Sequence, residues 1–218
     1  MADRTMTVAV PGSGSVSALR TAAKDARWTF IYAPGAGSNI HDPFGAYDAS
    51  ELAPQGISTI RFQFPYMEAG KRGPDRPPVL ESTWRAVVDA VRDEKTRLVI
   101  GGRSMGGRVA SMVAAGGVVV DALALFAYPL HAPGKPDQLR VEHFSSIRSP
   151  ALFVSGTNDA FGSPDEMRAA TKQIKRSKIH LLDRADHGFS VPKSSGRARE
   201  DVWAEAVSTF VEWLASLK

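Results

Sequence analysis

The sequence predicts an α/β fold in which a doubly wound, mostly parallel β-sheet carries helices on both faces. Three observations lead to this prediction. Short β-branched or apolar runs alternate with segments of helical spacing along the 218 residues. The runs are almost continuously apolar, which is typical of parallel strands that are covered on both sides. The length suits one domain, and neither a repeat nor a linker divides it, so we expect a single domain over residues 1–218.

The elements follow one another in a regular order. Candidate strands cover residues 28–32, 57–64, 97–100, 122–127, 151–154 and 178–182. Candidate helices cover residues 82–92, 105–115, 165–174 and 200–217, where apolar residues recur three or four positions apart. Residues 11–17 (PGSGSVS) and 193–197 (KSSGR) are interpreted as flexible loops. The apolar stretch 109–130 is long enough for a membrane span, but its two glycines, Asp121 and Pro129 favour a buried helix followed by a buried strand.

Composition excludes several other classes of protein. Hydrophobic residues make up 43% and charged residues 23%, so disordered, collagen-like and coiled-coil chains are excluded. The net charge is 27 − 23 = +4 with scattered basic residues, so we expect no nucleic-acid partner. The absence of cysteine excludes disulfides, thiolate metal sites and a cysteine nucleophile. The first residues, MADRTMTVAV, lack the apolar core of a signal peptide, so we expect a cytoplasmic protein without a membrane partner.

The stretch LVIGGRSMGG contains the pattern G-x-S-x-G around Ser104. In a nucleophile elbow a strand enters, a sharp turn exposes the serine and a helix leaves, with glycines where side chains would collide. A strand candidate precedes Ser104 and a helix candidate follows it, so Ser104 is the candidate nucleophile. The alternative is a turn whose serine only caps the helix. A phosphate-binding loop is excluded because Arg108 and Val109 stand where Lys and Ser or Thr are required.

A serine nucleophile needs a base and an orienting acid, which follow it in the order acid, then histidine, in this architecture. His187 lies in a polar loop, RADHGFS, after the last candidate strand, and is the best base by position. A solvated loop histidine is the alternative. The other histidines fit less well: His180 falls in a strand, His143 on a helix, His41 before the serine, and His131 before any convincing acid.

Asp159 is the candidate acid because it ends LFVSGTND, where a buried strand runs into a turn at the same sheet edge. A helix N-cap is the alternative role for this aspartate. Asp183 and Asp186 are rivals, but residues that close to His187 in sequence usually cannot reach its ring from a separate strand end.

An oxyanion formed at the substrate carbonyl needs two backbone N–H donors. Met105, directly after the nucleophile, supplies one in the elbow arrangement. The other is expected from the loop after an early strand, where PGAG occupies residues 34–37. Ala36 is the preferred donor and Gly37 the next choice, whereas a plain tight turn is the alternative interpretation.

Four further segments are similar to serine α/β-hydrolases, namely APGAGSNIHDPF, RFQFPYMEAGKRGPDRPP, YPLHAPGKPDQLR and DHGFSVPKSSGR. The chain resembles the small dienelactone-hydrolase-like and testis-expressed-protein-like branch of that superfamily. The resemblance implies an α/β-hydrolase fold with Ser104, Asp159 and His187 as triad and Ala36 and Met105 as oxyanion donors. Dienelactone hydrolases proper carry a cysteine nucleophile, so their lactone substrate is not carried over.

Together these residues predict a serine hydrolase that cleaves a small ester or thioester through an acyl-enzyme, without metal or organic cofactor. Only about twenty residues separate strands 122–127 and 151–154, which leaves no room for a large lid. Tyr66, Tyr128 and Phe161 are expected to line an open pocket for a small acyl substrate, and Arg103 and Lys193 to attract a carboxylate. A non-catalytic interaction module that keeps the fold and a serine peptidase are the alternative functions.

Overall fold

A computed structural model describes residues 3–217 and contains one eight-stranded sheet. Its strands are β1 (Arg4–Val10), β2 (Gly14–Thr21), β3 (Trp28–Ala33), β4 (Ile57–Phe62), β5 (Arg97–Arg103), β6 (Ala122–Phe126), β7 (Ala151–Gly156) and β8 (Ser177–Leu182). Their spatial order is β1-β2-β4-β3-β5-β6-β7-β8. β3 to β8 are parallel to one another, whereas β1 and β2 run antiparallel to their neighbours. The predicted doubly wound, mostly parallel sheet is confirmed.

Helices cover both faces of the sheet. They are α1 (Pro43–Leu52), α2 (Pro65–Glu68), α3 (Pro77–Val91), α4 (Met105–Ala115), α5 (Pro164–Thr171) and α6 (Arg199–Ser216). Buried side chains of α3, α4 and α5 pack in one core, and those of α1 and α6 pack in a second core on the other face. Within β3, Ile31 contributes to the first core, and Phe30 and Tyr32 contribute to the second. Burial on both faces explains why the central strands are continuously apolar.

The hairpin formed by β1 and β2 differs from the sequence prediction. Residues 11–17 were predicted as a flexible loop, yet β2 begins at Gly14 and pairs with β1 from Gly14 to Arg20. Val16 and Ala18 point into the first core, whereas Ser17 between them is more exposed. Because the alternating residues are small, the sequence of β2 predicts a strand only weakly. The strand is stabilised by antiparallel pairing with β1 and β4.

Helix boundaries differ where proline and aspartate shape the first turn. α3 begins at Pro77, five residues before the predicted start, because proline is well tolerated at the first helical position. α1 was not predicted; the Asp42 side chain caps it by accepting the Gly45 N–H at 3.0 Å. The apolar stretch 109–130 is α4 followed by β6, as predicted.

The carboxyl ends of β3, β5, β7 and β8 meet at one edge, so the loops after these strands form one surface. Between β6 and β7, residues 127–150 contain a single 3-10 turn, Phe144–Ser146, and no inserted α-helix or strand in this described segment, in agreement with the predicted lack of a lid. None of the helices within residues 3–217 has the length and apolar character needed to cross a membrane.

Candidate active site

Ser104 occupies the sharp turn between β5 and α4. Its φ is +50° and its ψ is −118°, a combination that L-residues rarely adopt and that costs about 1–3 kcal/mol. The Ser104 N–H donates to the Phe126 carbonyl at 2.9 Å, and the Arg108 N–H donates to the Ser104 carbonyl at 3.0 Å. The backbone is therefore held on both sides of the turn, and the side chain is presented above the sheet edge.

Glycines allow β3 to lie directly against this turn. A Cβ on Gly102, whose φ is +134°, would lie 2.0 Å from the Ala33 carbonyl oxygen. A Cβ on Gly106 would lie 2.2 Å from the same oxygen. No side chain fits at these distances, so both glycines are required by the close approach of Ala33.

His187 lies in the loop after β8, and its ring reaches Ser104. The His187 Nε2 atom is 2.9 Å from the Ser104 Oγ atom. The loop is held by the Asp186 carboxylate, which accepts the N–H groups of Gly188 and Ser190 at 2.7 and 2.8 Å. Asp186 thus stabilises the loop that carries His187 and does not contact its ring.

Asp159 follows β7 and meets the other nitrogen of the same ring. Its Oδ2 and Oδ1 atoms lie 2.8 and 3.0 Å from the His187 Nδ1 atom. The Asp159 side chain is 1% exposed, and it also accepts the Phe161 N–H at 2.8 Å. An ionised carboxylate accepts hydrogen bonds but donates none, so this geometry suits the tautomer of His187 that carries its proton on Nδ1. The Nε2 atom is then free to accept the Ser104 proton.

Phe161 packs against the imidazole. The two rings are stacked with their centroids 4.0 Å apart and their planes 27° from parallel. Phe161 lines the cavity over Ser104, as predicted from the sequence. Phe161 thus covers one face of the His187 ring, and the His187 side chain remains 24% exposed.

The predicted oxyanion residues come from two different segments beside Ser104. Ala36 follows β3, in a loop where a Cβ on Gly35 would lie 3.5 Å from the Ser104 Cβ. Met105 opens α4. Within the described residues neither the Ala36 N–H nor the Met105 N–H donates a hydrogen bond to the protein, although both residues line the cavity. Two unpaired donors beside a serine oxygen are suited to a developing oxyanion.

Two hydrogen bonds orient the peptide groups of the Ala36 loop. The Gly35 carbonyl accepts the Ser38 N–H at 3.1 Å, and the Ala36 carbonyl accepts the Tyr66 hydroxyl at 2.8 Å. In a trans peptide the N–H points away from the carbonyl. The first bond therefore sets the direction of the Ala36 N–H, and the second sets that of Gly37.

A cavity of about 690 Å³ opens over Ser104 and His187. Tyr66 and Tyr128, expected on its surface, are not among the lining residues, because both are buried behind it. The Tyr128 hydroxyl donates to the Arg140 carbonyl at 2.8 Å, and its ring packs against Phe144. The lining residues are Gly35, Ala36, Gly37, Ser38, Asp42, Pro74, Asp75, Pro77, Leu80, Arg103, Ser104, Met105, Arg108, Pro129, Arg140, Phe161 and His187.

The two predicted cationic residues occupy different places. Arg103 lines the cavity, but its guanidinium lies 3.9 Å from the Asp42 carboxylate and donates to the His187 carbonyl at 3.2 Å. Arg103 thus links the α1 cap to the His187 loop. Lys193 is exposed in a 3-10 turn outside the cavity lining, so it does not meet the expectation.

Arg108 and Arg140 also line the cavity, although neither was predicted as a site residue. Arg108 lies four residues after Ser104 on a predicted helix, a spacing that already places it on the same helical face. Arg140 had no such signal. Its position depends on the irregular connection after β6.

None of the other histidines contacts Ser104 in the described part of the chain. His143 was predicted on a helix but precedes the Phe144–Ser146 turn, because the connection after β6 has no α-helix. Their closest polar contacts are the Ala132 carbonyl for His131, Ser111 for His143 and Glu205 for His180, whereas His41 is exposed.

The chain is similar to known proteins over nearly all of its length. A family model for the alpha/beta hydrolase domain matches residues 26–215. Est1E from Butyrivibrio proteoclasticus shares the fold with a TM-score of 0.77 at 16% identity, over 97% of this chain and 99% of that one. XC6422 from Xanthomonas campestris, described as an α/β serine hydrolase without lid, has a TM-score of 0.73 at 19% identity, over 97% and 94%.

A dienelactone hydrolase from Anabaena variabilis has a TM-score of 0.75 at 19% identity, over 97% of each chain. At these identities the structures show a shared fold, and the family model shows the family. The elbow between β5 and α4 and the order of strands agree with both. The chain belongs to the α/β-hydrolase family.

Proposed function

We propose that this protein is a serine hydrolase that cleaves small esters or thioesters through an acyl-enzyme on Ser104. The hydrogen-bonded line from the Ser104 Oγ atom through the His187 imidazole to the Asp159 carboxylate carries the proposal. A serine becomes a nucleophile at neutral pH when a base takes its proton and an acid holds that base in the correct tautomer. Similarity to an esterase and to a dienelactone hydrolase supports the same class at the level of the fold.

In the first half of the reaction, His187 Nε2 takes the Ser104 proton as the Ser104 Oγ attacks the substrate carbonyl. The oxyanion that forms accepts hydrogen bonds from the Ala36 and Met105 N–H groups. His187 then gives the proton to the leaving alcohol or thiol as its bond to the carbonyl carbon breaks. Ser104 is left as an ester of the substrate acid.

In the second half, water replaces the alcohol or thiol. His187 takes a proton from water, which attacks the acyl-enzyme carbonyl, and the same two N–H groups stabilise the second oxyanion. When the bond to Ser104 Oγ breaks, His187 returns the proton to that oxygen. Asp159 stays ionised throughout and stabilises the imidazolium that forms in each half.

The shape of the cavity favours small substrates. The connection between β6 and β7 inserts no lid within the described residues, so the cavity opens directly to solvent. Ala36 and Gly37 line one part of the cavity with little side-chain volume. Phe161 forms an apolar contact surface beside His187. A short acyl group is accommodated without a conformational change.

Steady-state hydrolysis of p-nitrophenyl acetate and of a short acyl thioester tests the proposal. Ser104→Ala should reduce kcat by about 10⁴-fold or more, and Asp159→Asn by about 10³- to 10⁴-fold, because the wrong tautomer of His187 is then favoured. Ser208→Ala, an exposed change on α6, is the matched control and should retain full activity. If folded wild-type protein turns over neither substrate, the family fold serves a non-catalytic interaction instead.

A further inference from the structure

The cavity over Ser104 contains two arginines that have no acidic partner. Arg108 and Arg140 form no ion pair, and their guanidinium groups donate no hydrogen bond, to any residue within 3–217. The Arg108 Nε atom is fully buried in this unpartnered state. Arg103, by contrast, is engaged by Asp42 and His187. The terminal nitrogens of both guanidinium groups are also without a partner among these residues but are not fully buried, so they are the donors that a ligand in the cavity would meet.

No acidic side chain within the described residues neutralises the two guanidinium groups. Burial lowers the pKa of Arg140, and the charge of Arg108 lowers it further, so the two cations are near enough to repel. Burial lowers the pKa of His143 to about 4, so its ring is uncharged at neutral pH. Glu142 is the acid whose charge acts on this group of residues, but it is exposed and pairs with neither arginine.

Both arginines are held in place beside the nucleophile. Arg108 lies one helical turn after Ser104, about 6 Å along the α4 axis and on the same face. The Arg140 backbone is fixed on both sides, since its N–H donates to the Leu130 carbonyl at 2.7 Å and its carbonyl accepts the Tyr128 hydroxyl. The backbones of both arginines are therefore fixed beside the cavity, and neither guanidinium has a partner in the described part of the chain that a carboxylate would have to displace.

The acidic residues of the cavity have other partners. Asp42 accepts hydrogen bonds from Ser38 and Gly45 and lies beside Arg103. Asp75 accepts the Tyr66 N–H at 2.9 Å. These carboxylates hold the cavity wall, and neither neutralises Arg108 or Arg140.

Resting on the proposed function, we propose that Arg108 and Arg140 form an anion subsite and that the natural substrate is an ester or thioester carrying a carboxylate. Guanidinium groups bind carboxylates through paired, charge-assisted hydrogen bonds. The carboxylate takes no part in the bond changes: the ester bond to the carbonyl carbon breaks, water is added across it, and the charged group is released unchanged. The carboxylate is carried either by the acyl chain or by the leaving group, and the experiment below distinguishes these two cases.

Matched ester pairs test this subsite. The p-nitrophenyl monoester of adipic acid is compared with p-nitrophenyl hexanoate, which places the charge on the acyl side. Then p-acetoxybenzoate is compared with its methyl ester, which places it on the leaving group. In at least one pair, wild-type kcat/KM should be about 10-fold or more higher for the charged ester, mainly through a lower KM.

Arg108→Gln and Arg140→Gln should each reduce this charge preference by about 10-fold or more. The exposed change Arg168→Gln on α5 is the control and should leave the preference as in wild type. Circular dichroism melts establish that each variant is folded, and Arg140→Gln carries the test if Arg108→Gln is not. The proposal is overturned if neither pair shows a preference, or if the variants retain it.

A binding measurement separates failure of the subsite from failure of the proposed function. Calorimetry with adipate, using the Ser104→Ala protein, needs no turnover. Adipate binding that weakens about 10-fold or more in Ser104→Ala/Arg108→Gln supports the subsite even when no ester is hydrolysed. If Ser104→Ala binds no adipate, and the wild-type protein hydrolyses neutral esters without preferring either charged ester, the subsite is overturned and the serine hydrolase stands.

Discussion

At the scale of single residues, one hydrogen bond behind the cavity wall orients the loop that contains Ala36. Tyr66 was expected to contact substrate, but its hydroxyl donates instead to the Ala36 carbonyl. The hydroxyl thereby fixes the peptide that follows the expected oxyanion donor. Tyr66 is a positioning residue in this account, since it acts on the substrate only through the Ala36 loop.

Tyr66→Phe should lower kcat about three- to tenfold with little change in KM, the loss expected for one hydrogen bond that acts mainly on the transition state. Steady-state kinetics on p-nitrophenyl acetate measure this split. Tyr47→Phe is the control, because the Tyr47 hydroxyl makes no hydrogen bond among the described residues. An unchanged kcat in Tyr66→Phe would show that the Ala36 loop is held without this bond.

The three residues Ser104, Asp159 and His187 were predictable from their order along the chain. Ser104, Asp159 and His187 each follow a predicted strand, and parallel strands bring such positions to one edge, where the structure places all three in contact. The direction of a loop aromatic is set by tertiary packing instead. Tyr66 and Tyr128 point into the core for this reason, and the sequence carried no signal of it.

At the scale of elements, the turn between β5 and α4 is packed against β3 with no spare space. Gly106→Ala would place its Cβ against the Ala33 carbonyl and should lower the free energy of unfolding by about 3 kcal/mol or more. Urea unfolding monitored by tryptophan fluorescence measures the loss. Gly73→Ala is the matched control, since its Cβ would meet no atom within 4 Å, and equal stability of the two variants would contradict this packing.

The central strands were predictable because burial on both faces leaves few polar positions, as in β6, where all five residues are buried. The β1–β2 hairpin was not predictable, because its serines and glycines are typical of a loop. Its strands depend on the pairing of β2 with β4, which the local sequence does not show. The same difference applies to α1. Its start depends on the Asp42 cap, and its short sequence has no clear apolar stripe.

At the scale of the whole molecule, the pH dependence of stability is expected to depend on a buried carboxyl group on α1. Asp48 on α1 is fully buried, and its carboxylate oxygens have no hydrogen-bond partner among the described residues. Burial raises the pKa of Asp48 well above its usual range, partly opposed by the charge of Arg61. The unfolded chain therefore releases this proton first as the pH rises, and stability falls between the unfolded and the folded pKa.

Asp48→Asn removes this linkage, so the variant should gain more stability at pH 8 than at pH 5. A gain of about 1 kcal/mol corresponds to about 2–4 °C in Tm for a domain of this size. Thermal melts at the two pH values measure it, with the exposed Asp89→Asn on α3 as control. A gain of equal size at both pH values would rule out a raised Asp48 pKa as the cause.

The central claim is that His187 and Asp159 activate Ser104, and intact-mass analysis after exposure to a fluorophosphonate tests it most directly. Such reagents form a covalent adduct with an activated serine and need no knowledge of the substrate. We expect a single adduct on the wild-type protein, none on Ser104→Ala, and much slower labelling of His187→Ala. A folded wild-type protein that stays unlabelled, or a Ser104→Ala protein that labels equally, would contradict the claim.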